Sequence, residues 1–516
     1  MHTRKTWITA NQKILDTASC FHERLILTNK SAVVVGAGIG GLSSAIYLAS
    51  QGLQVTLVES NETLGGRANI ISASGYRFDT GPSLLNYPWV FEELFSVAGK
   101  ILADELELLK IDPAIKFFWP DGSNLELSSD LFKLSQELER FDSGSSSGLL
   151  KFLSDARLKY DIAFSRLVTR NSHSVIGWFR SAGLVNLMKL GLFRSMDSQL
   201  GKYFKSQRVK EALGSYAMYL GGSPHQLRGI FSILPYGELH HGLWFPKGGI
   251  YSLVEKISEL AQLNGVKIIN SSRVERIITK DSKVIGVRTS NNAFIKADIV
   301  VSNVDVKSTQ KLLNHDVRYT RKLRMTPGVI TFYMGIKKKF DNVTHHTIFL
   351  NNEYQKSFKQ IIDRGRIPDN PPFYISIPSN SDPDLAPKGS SSVFVLVPVP
   401  TLSHHRNVNW PATVSQIRAS VKHRLSQHGI SFEESDVEFE EIWTPVDWKN
   451  KFGLHDGSAF GAAHLIRQIG PFRPPNKSNS IKGLYYVGAS TTPGTGLPMC
   501  VLSGKMVAER ISKDFG

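Results

Sequence analysis

An α/β fold is predicted for this 516-residue chain by three features. A β-branched run ends in a glycine-rich turn, a second run ends in an acid, and short strand-like runs return late in the chain. The first run, residues 32–35 (AVVV), has the length of a buried parallel strand and ends on Gly36-Ala37-Gly38-Ile39-Gly40-Gly41. Gly36 permits the tight turn, and Gly38 lets backbone approach a pyrophosphate. Gly41 lets a helix, expected from about Gly40 to Gly52, pack against the strand. The free N–H groups and dipole at that helix's start suit phosphate. The second run, 54–58, delivers Glu59, 23 residues after Gly36, where a carboxylate takes ribose hydroxyls and repels a 2′-phosphate, which disfavours NADP. The alternative is a glycine turn without a ligand; a strand before, a helix after and the acid at the next strand's end weigh against it.

Together these pieces read as a Rossmann-type unit. The uncharged stretch 31–58 is long enough to span a bilayer, but its glycines and serines describe strand, turn, helix and strand instead. Basic residues number 61 and acidic residues 45, a net +16 that asks for an anionic partner. Cys20 and Cys500 lie far apart, which removes a disulfide framework and a zinc ribbon. Charges scattered through the first thirty residues argue against a signal peptide, so the protein is expected on the cytoplasmic side and not secreted.

Residues 1–30 read as a polar extension, and 143–148 (SGSSSG) as a flexible spacer before a helix-rich stretch beginning near Leu149. Strand-like runs at 265–270, 274–278, 284–287 and 298–302 predict a small sheet, and 483–488 is one more strand running into glycine. The nucleotide-binding domain is therefore expected to be discontinuous, from residues 31–100, 245–310 and 440–516. A mixed sheet and helical substrate domain is expected from 101–244 and 311–439.

Further motifs narrow the reading. Leu64-Gly65-Gly66-Arg67 and Phe78-Asp79-Thr80-Gly81-Pro82 resemble the flavin-containing amine oxidase and carotenoid desaturase superfamily. Three later blocks, 219–249, 444–476 and 487–498, are similar to the bacterial and fungal type of phytoene desaturase, over about 31–513. The resemblance implies FAD as cofactor, with Gly66 and Arg67 along its pyrophosphate. An arginine there offers a fork of donors to phosphate oxygens, and a solvated surface turn is the bland alternative. It also implies that Val274 contacts the adenine through its backbone, with an ordinary core valine as the equal alternative. Gly488 and the Leu497-Pro498-Met499 backbone are implied to lie against the flavin ring, or simply to cap the last helix. Members of this family bind at membranes and introduce double bonds into long polyenes, with oxygen or a quinone taking the electrons. Where members commonly carry histidine this chain has Thr492, so substrate or regiochemistry is expected to differ.

Desaturation removes a hydride equivalent from one carbon and a proton from its neighbour. A weak base suffices for the proton, and Glu238 or His240 is the candidate, against the reading that both are ordinary polar residues on a strand or its turn. The pairs His240-His241, His345-His346 and His404-His405 invite a metal, but strand neighbours point to opposite faces, and no metal site is expected. Ser458 sits one position early for a hydrolase elbow.

Residues 151–210 hold twelve Lys or Arg against three Asp, a local +9. Within 171–205 the bases interleave with Ile176, Trp178, Phe179, Leu184, Val185, Leu187, Met188, Leu190, Leu192 and Phe193, which suits an anionic leaflet; a core helix with a solvated basic face is the alternative. No nucleic-acid recognition motif is present. The expected function is an FAD-dependent desaturase of a lipophilic polyene, peripheral on a membrane. The rivals are polyene oxygenation or isomerisation, retinoid saturation, amine oxidation, and a non-catalytic prenyl-binding escort in the manner of Rab GDP-dissociation inhibitors.

Overall fold

The structure, a computed structural model, describes residues 30–171, 175–313, 323–340 and 343–516. The extension expected over 1–30 lies outside the described residues except for Lys30. The α/β class is as expected. Five parallel strands form one sheet, in the order Leu484–Tyr486, Ile299–Ser302, Ser31–Val35, Gln54–Val58 and Lys267–Ile269. The central strand is buried because Val33 pairs with Val300 on one side and Thr56 on the other. The runs at 265–270 and 298–302 thus join this parallel sheet. Only Val274–Lys280 and Lys283–Thr289 build the small antiparallel sheet, with Phe294–Lys296.

The first helix, Ile39–Ser50, begins at Gly38 with no side-chain cap, so its first-turn N–H groups stay open. The last helix, Leu497–Phe515, lies against it. A Cβ on Gly504 would stand 2.7 Å from the Ser44 nitrogen and 2.9 Å from the Ser43 Cβ, so only glycine lets the two helices close to this spacing.

A seven-stranded sheet makes the second layer. Its order is Val437–Trp443, Gly328–Ile336, Ser391–Val399, Phe373–Ser376, His346–Phe349, Ile115–Phe118 and Asn124–Leu127. All pairings are antiparallel except that between His346–Phe349 and Ile115–Phe118. The two long strands are buried on both faces, and the strand period of two sorts their side chains. Ile330, Phe332, Met334 and Ile336 meet Ile417, Val421 and Leu425 of the helix Trp410–Ser426. Val329, Tyr333, Phe394 and Leu396 turn the other way, toward Tyr374, Ile348, Tyr216 and Met218.

The serine-rich stretch 143–148 is not a spacer. Ser145–Gly148 form the first turn of the helix Ser145–Ala163. The Glu139 carboxylate accepts from the Gly144 and Ser146 amides at 2.8 Å each and so caps that turn. Gly148 brings the helix against Tyr203, where a Cβ would meet the Tyr203 carbonyl oxygen at 2.2 Å. Glu238 and His240 also lie on a helix, Ile233–His241, and not on a strand or turn. Its glycine explains the packing, since a Cβ on Gly237 would stand 2.1 Å from the Tyr87 hydroxyl.

Enlarging Gly504 to valine is expected to destabilise the fold by roughly 1–3 kcal/mol through overpacking. Thermal denaturation checks this, and an unchanged midpoint would show that the two helices do not touch as described.

Candidate functional site

The first strand, the first helix and the Gly65-Gly66-Arg67 segment converge on one crevice. The Gly65 amide donates to the Ala37 carbonyl at 2.8 Å, and a Cβ on Gly66 would lie 3.3 Å from the Gly38 Cα. Gly66 has φ +60°, a conformation that glycine adopts without cost. On Gly41 a Cβ would meet the Gly36 carbonyl oxygen at 2.0 Å, so the turn's own geometry also demands glycine there. Gly36, Gly38, Gly41 and Gly66 are thus brought together, around the uncapped start of the helix Ile39–Ser50.

Glu59 is buried at the rim of this turn. Its Oε2 accepts from the Ala37 amide at 2.7 Å, and its Oε1 from the Asn61 amide at 2.9 Å and the Ser60 hydroxyl at 3.0 Å. Oε2, with one donor, keeps room for another. Arg67 Nη1 donates to the Ala459 carbonyl at 2.5 Å, which ties the segment to the loop preceding Gly461. Val274 opens its strand as a buried residue, close to Glu59 through the Ser272 amide, which donates to the Glu59 carbonyl at 2.8 Å.

From the other end of the chain, Gly488 follows the edge strand and enters the same crevice, its amide donating to Ser503 Oγ at 3.1 Å. Leu497, Pro498 and Met499 form the first turn of the last helix, which has Gly496 before it and no side-chain cap. Pro498 has no N–H, so the open donors there are those of Leu497 and Met499.

Two residues of the 444–476 block hold this C-terminal loop, a role that the motif alone does not carry. Arg473 is buried and donates Nε to the Thr491 carbonyl at 2.7 Å and Nη2 to the carbonyls of Ala462 (3.2 Å) and Ala489. The Asn476 Nδ2 reaches the Thr492 carbonyl at 3.0 Å and that of Tyr486 at 3.1 Å. Irregular backbone has no ladder to satisfy it, and these two side chains replace the ladder. Two polar residues separated by a pair of prolines are the available signal. His464 is buried beside the loop, its Nε2 3.4 Å from the Thr495 amide, and burial holds it well below the usual histidine range.

A small apolar chamber of about 40 Å³ opens on the inner face of the seven-stranded sheet, lined by Met218, Tyr219, Ile348, Leu350, Phe358 and Leu396 among others. Three of the four hydroxyls that line it, those of Ser215, Tyr354 and Tyr374, are turned to protein partners. Ser215 donates to the Ala212 carbonyl at 2.8 Å and Tyr354 to that of Glu211 at 3.1 Å. The Tyr374 hydroxyl lies 2.7 Å from both Ser83 Oγ and His346 Nδ1. The Tyr219 ring meets Phe460 at 5.3 Å, and the Phe460 carbonyl accepts from Thr495 Oγ1 at 2.7 Å, so one wall of the chamber leads to the C-terminal glycine loop.

Glu238 and His240, two positions apart, part company in the structure. Glu238 is buried and accepts from the Tyr216 hydroxyl and from Asn86 Nδ2 at 3.2 Å. Burial raises its carboxyl to about 7, against the pull of those two hydrogen bonds. His240 is exposed and stacks on Tyr236 at 5.1 Å. His345 and His346 do not diverge as strand neighbours would. His345 precedes the strand His346–Phe349, and the two rings approach to 4.1 Å. Among the described residues no three His, Cys, Asp or Glu side chains gather as a metal site. Ser458 lies 2.8 Å from Thr326 Oγ1, inside the loop that carries Ala459.

The segment 171–205 folds as the short helices Val175–Ala182, Leu184–Lys189 and Met196–Leu200. Residues 172–174 lie outside the described residues. Its apolar side chains divide: Leu187 and Leu190 are buried with Ile162 and Leu167, while Ile176 is 73%, Val185 60%, Met188 64% and Phe193 80% exposed, beside exposed Arg180, Lys189 and Arg194. Among the described residues no helix is long and apolar enough to cross a membrane.

Residues 39–512 match the family model of flavin containing amine oxidoreductases. The chain is 36% identical over 484 residues to a zeta-carotene-forming phytoene desaturase of Myxococcus xanthus, covering 93% of each. It is 35% identical over 513 residues to a phytoene desaturase of Fusarium fujikuroi, covering 94% of this chain and 90% of the relative. Among solved structures it resembles an oxidoreductase from Methanosarcina mazei at a TM-score of 0.60 and 17% identity, over 93% of this chain and all of the other, a likeness of fold. With a glycine crevice fed from both ends of the chain and a family match across nearly its whole length, the chain belongs to the flavin-containing amine oxidoreductases.

Proposed function

We propose that this protein is an FAD-dependent desaturase that introduces double bonds into a long polyene, phytoene or a related carotenoid. The observation that carries the reading is the pairing of an open glycine crevice with a mostly apolar chamber whose wall leads to it and where three of the four lining hydroxyls are spent on protein partners. An amine substrate would ask for polar groups aimed inward, whereas a hydrocarbon asks for none. The near-full-length likeness to phytoene desaturases supports the same substrate class. Residues 31–100, 245–310 and 440–516 form the nucleotide domain in this reading, and 101–244 with 311–439 the substrate domain.

The crevice suits FAD. The pyrophosphate would be held by Gly36, Gly38 and Gly41 at the open helix start, with Gly66 and Arg67 alongside. Glu59 would take the ribose and Val274 the adenine. Gly488 and the Leu497–Met499 turn would back the flavin ring, where open N–H groups favour negative charge. When bound, FAD supplies the hydride acceptor that the protein's own side chains lack. Tyr219 and Phe460 hold the polyene at the entrance from the chamber and keep water out. Glu238 takes the proton from the neighbouring carbon. Its carboxylate is fixed by Tyr216 and Asn86, and Asn86 follows the Gly81-Pro82 turn, which packs on the Arg67 carbonyl. His240 faces outward and takes no part.

The exposed apolar residues of 175–193 and their three bases form the membrane-docking surface, because a polyene resides in lipid and needs a dry path inward. Each base near an anionic surface contributes about 1 kcal/mol. The helix Val175–Ala182 sits on the turn Gly470–Phe472 through Trp178, and exposed Phe472 extends the same patch.

Expression in cells that accumulate phytoene or its C30 analogue should yield a red-shifted polyene, with the absorption spectrum counting the steps. Running the reaction with oxygen or with a quinone identifies the acceptor. Colourless product and protein without flavin absorbance would favour the escort reading instead. Because the Glu238 base acts ionised, the rate of flavin bleaching by substrate should rise with pH through about 7. The Glu238→Gln variant should lose that limb and roughly 10²-fold or more in rate. The same raised value means that Glu238 favours the fold when protonated, so its contribution to stability falls as pH climbs from about 4.3 to about 7. An unaltered pH profile in the variant would remove Glu238 from the chemistry. Reversing Arg180, Lys189 and Arg194 to glutamate should weaken sedimentation with anionic liposomes, and unchanged binding would place docking elsewhere.

A further inference from the structure

Residues 303–305 leave the strand Ile299–Ser302 and run between the two glycine turns. The Asn303 amide donates to the Val35 carbonyl at 2.8 Å, which fixes the residue over the first turn. Its carboxamide touches both turns. A Cβ on Gly38 would stand 2.6 Å from Nδ2, while one on Gly40 or on Gly488 would stand 2.8 Å from Oδ1. Two positions on, Asp305 Oδ2 accepts from the Ser490 hydroxyl at 2.9 Å, and Oδ1 caps the next helix through the Lys307 amide at 3.1 Å. One short segment therefore fastens the N-terminal turn to the C-terminal loop.

The carboxamide itself is half-buried and makes no hydrogen bond among the described residues. It stands beside a helix start whose N–H groups are also open. A neutral group with two free N–H donors next to uncapped backbone donors is complementary to an anion, and a carboxylate in the same place would repel one. We infer that Asn303 is a ligand of the FAD pyrophosphate, its Nδ2 donating to a phosphate oxygen, and that it joins the two halves of the cofactor site. This rests on the FAD reading of the crevice. The need for glycine at 38, 40 and 488 then has a second source, since the space above them is taken by this side chain.

The test is titration of FAD into apoprotein, followed by flavin fluorescence, together with the thermal midpoint of each apoprotein. Asn303→Ala should weaken FAD binding about tenfold, the size of one hydrogen bond to a charged group. Asn303→Asp, which has the same shape, should weaken it at least tenfold further. A packing role predicts the reverse order, with Asp close to wild type and Ala worse, and that order overturns the inference. If the Asp apoprotein does not fold, Asn303→Ser replaces it: a retained donor should recover part of the affinity that Ala loses, and equal affinities of Ser and Ala overturn the inference. Wild-type protein that takes up no FAD overturns the cofactor reading and this inference with it. Wild-type binding with an Asp variant of equal affinity overturns this inference alone.

Discussion

Gly504 lies close against Ser43 and Ser44, and this contact sets the spacing between the first and last helices. The rest of the site depends on that spacing. Each helix starts at an uncapped turn, Gly38 for one and Gly496 for the other, and each start offers backbone donors with no partner in the helix itself. A bulkier residue at 504 would part the two starts, although neither glycine turn would have changed. Two segments more than 400 residues apart thus depend on one contact for their spacing.

The loop that precedes the last helix has no ladder of its own. Arg473 and Asn476 satisfy its carbonyls, Thr495 anchors to Phe460, and Ser490 anchors to Asp305. Buried side-chain donors of this kind are costly to leave unmatched, so a loop built on them is rigid when complete and fails when one member is lost. Rigidity matters here because hydride transfer tolerates little misplacement. The chamber adds the second requirement, an apolar approach. It achieves this with Ser215, Tyr354 and Tyr374, whose hydroxyls bond to the protein, leaving ring and aliphatic surface toward the cavity.

Glu238 shows how one helix divides two candidates. Successive positions on a helix differ in direction by about 100°, so residues two apart lie on nearly opposite faces, and Glu238 is buried while His240 is stacked outside. Burial raises the carboxyl toward neutrality, the range where a base works at ordinary pH. The serine-rich stretch 143–148 teaches a similar lesson. Its composition reads as a linker, but Glu139 supplies the cap and Tyr203 the close neighbour that turn it into a helix start.

The sequence by itself determined the nucleotide-binding turn, the acid at the second strand's end, the returning strand before Gly488 and the likeness to a family, because each is written in local spacing and residue type. Local spacing cannot say which strands share a sheet. The runs at 265–270 and 298–302 joined the parallel sheet, and 274–278 and 284–287 did not, because pairing is settled by what each strand packs against. Only the tertiary structure brought Asn303 between two glycine turns, gave Arg473 its carbonyls and set Glu238 apart from His240. Those are contacts between residues distant in the chain or on different faces of one helix, and no local pattern encodes them.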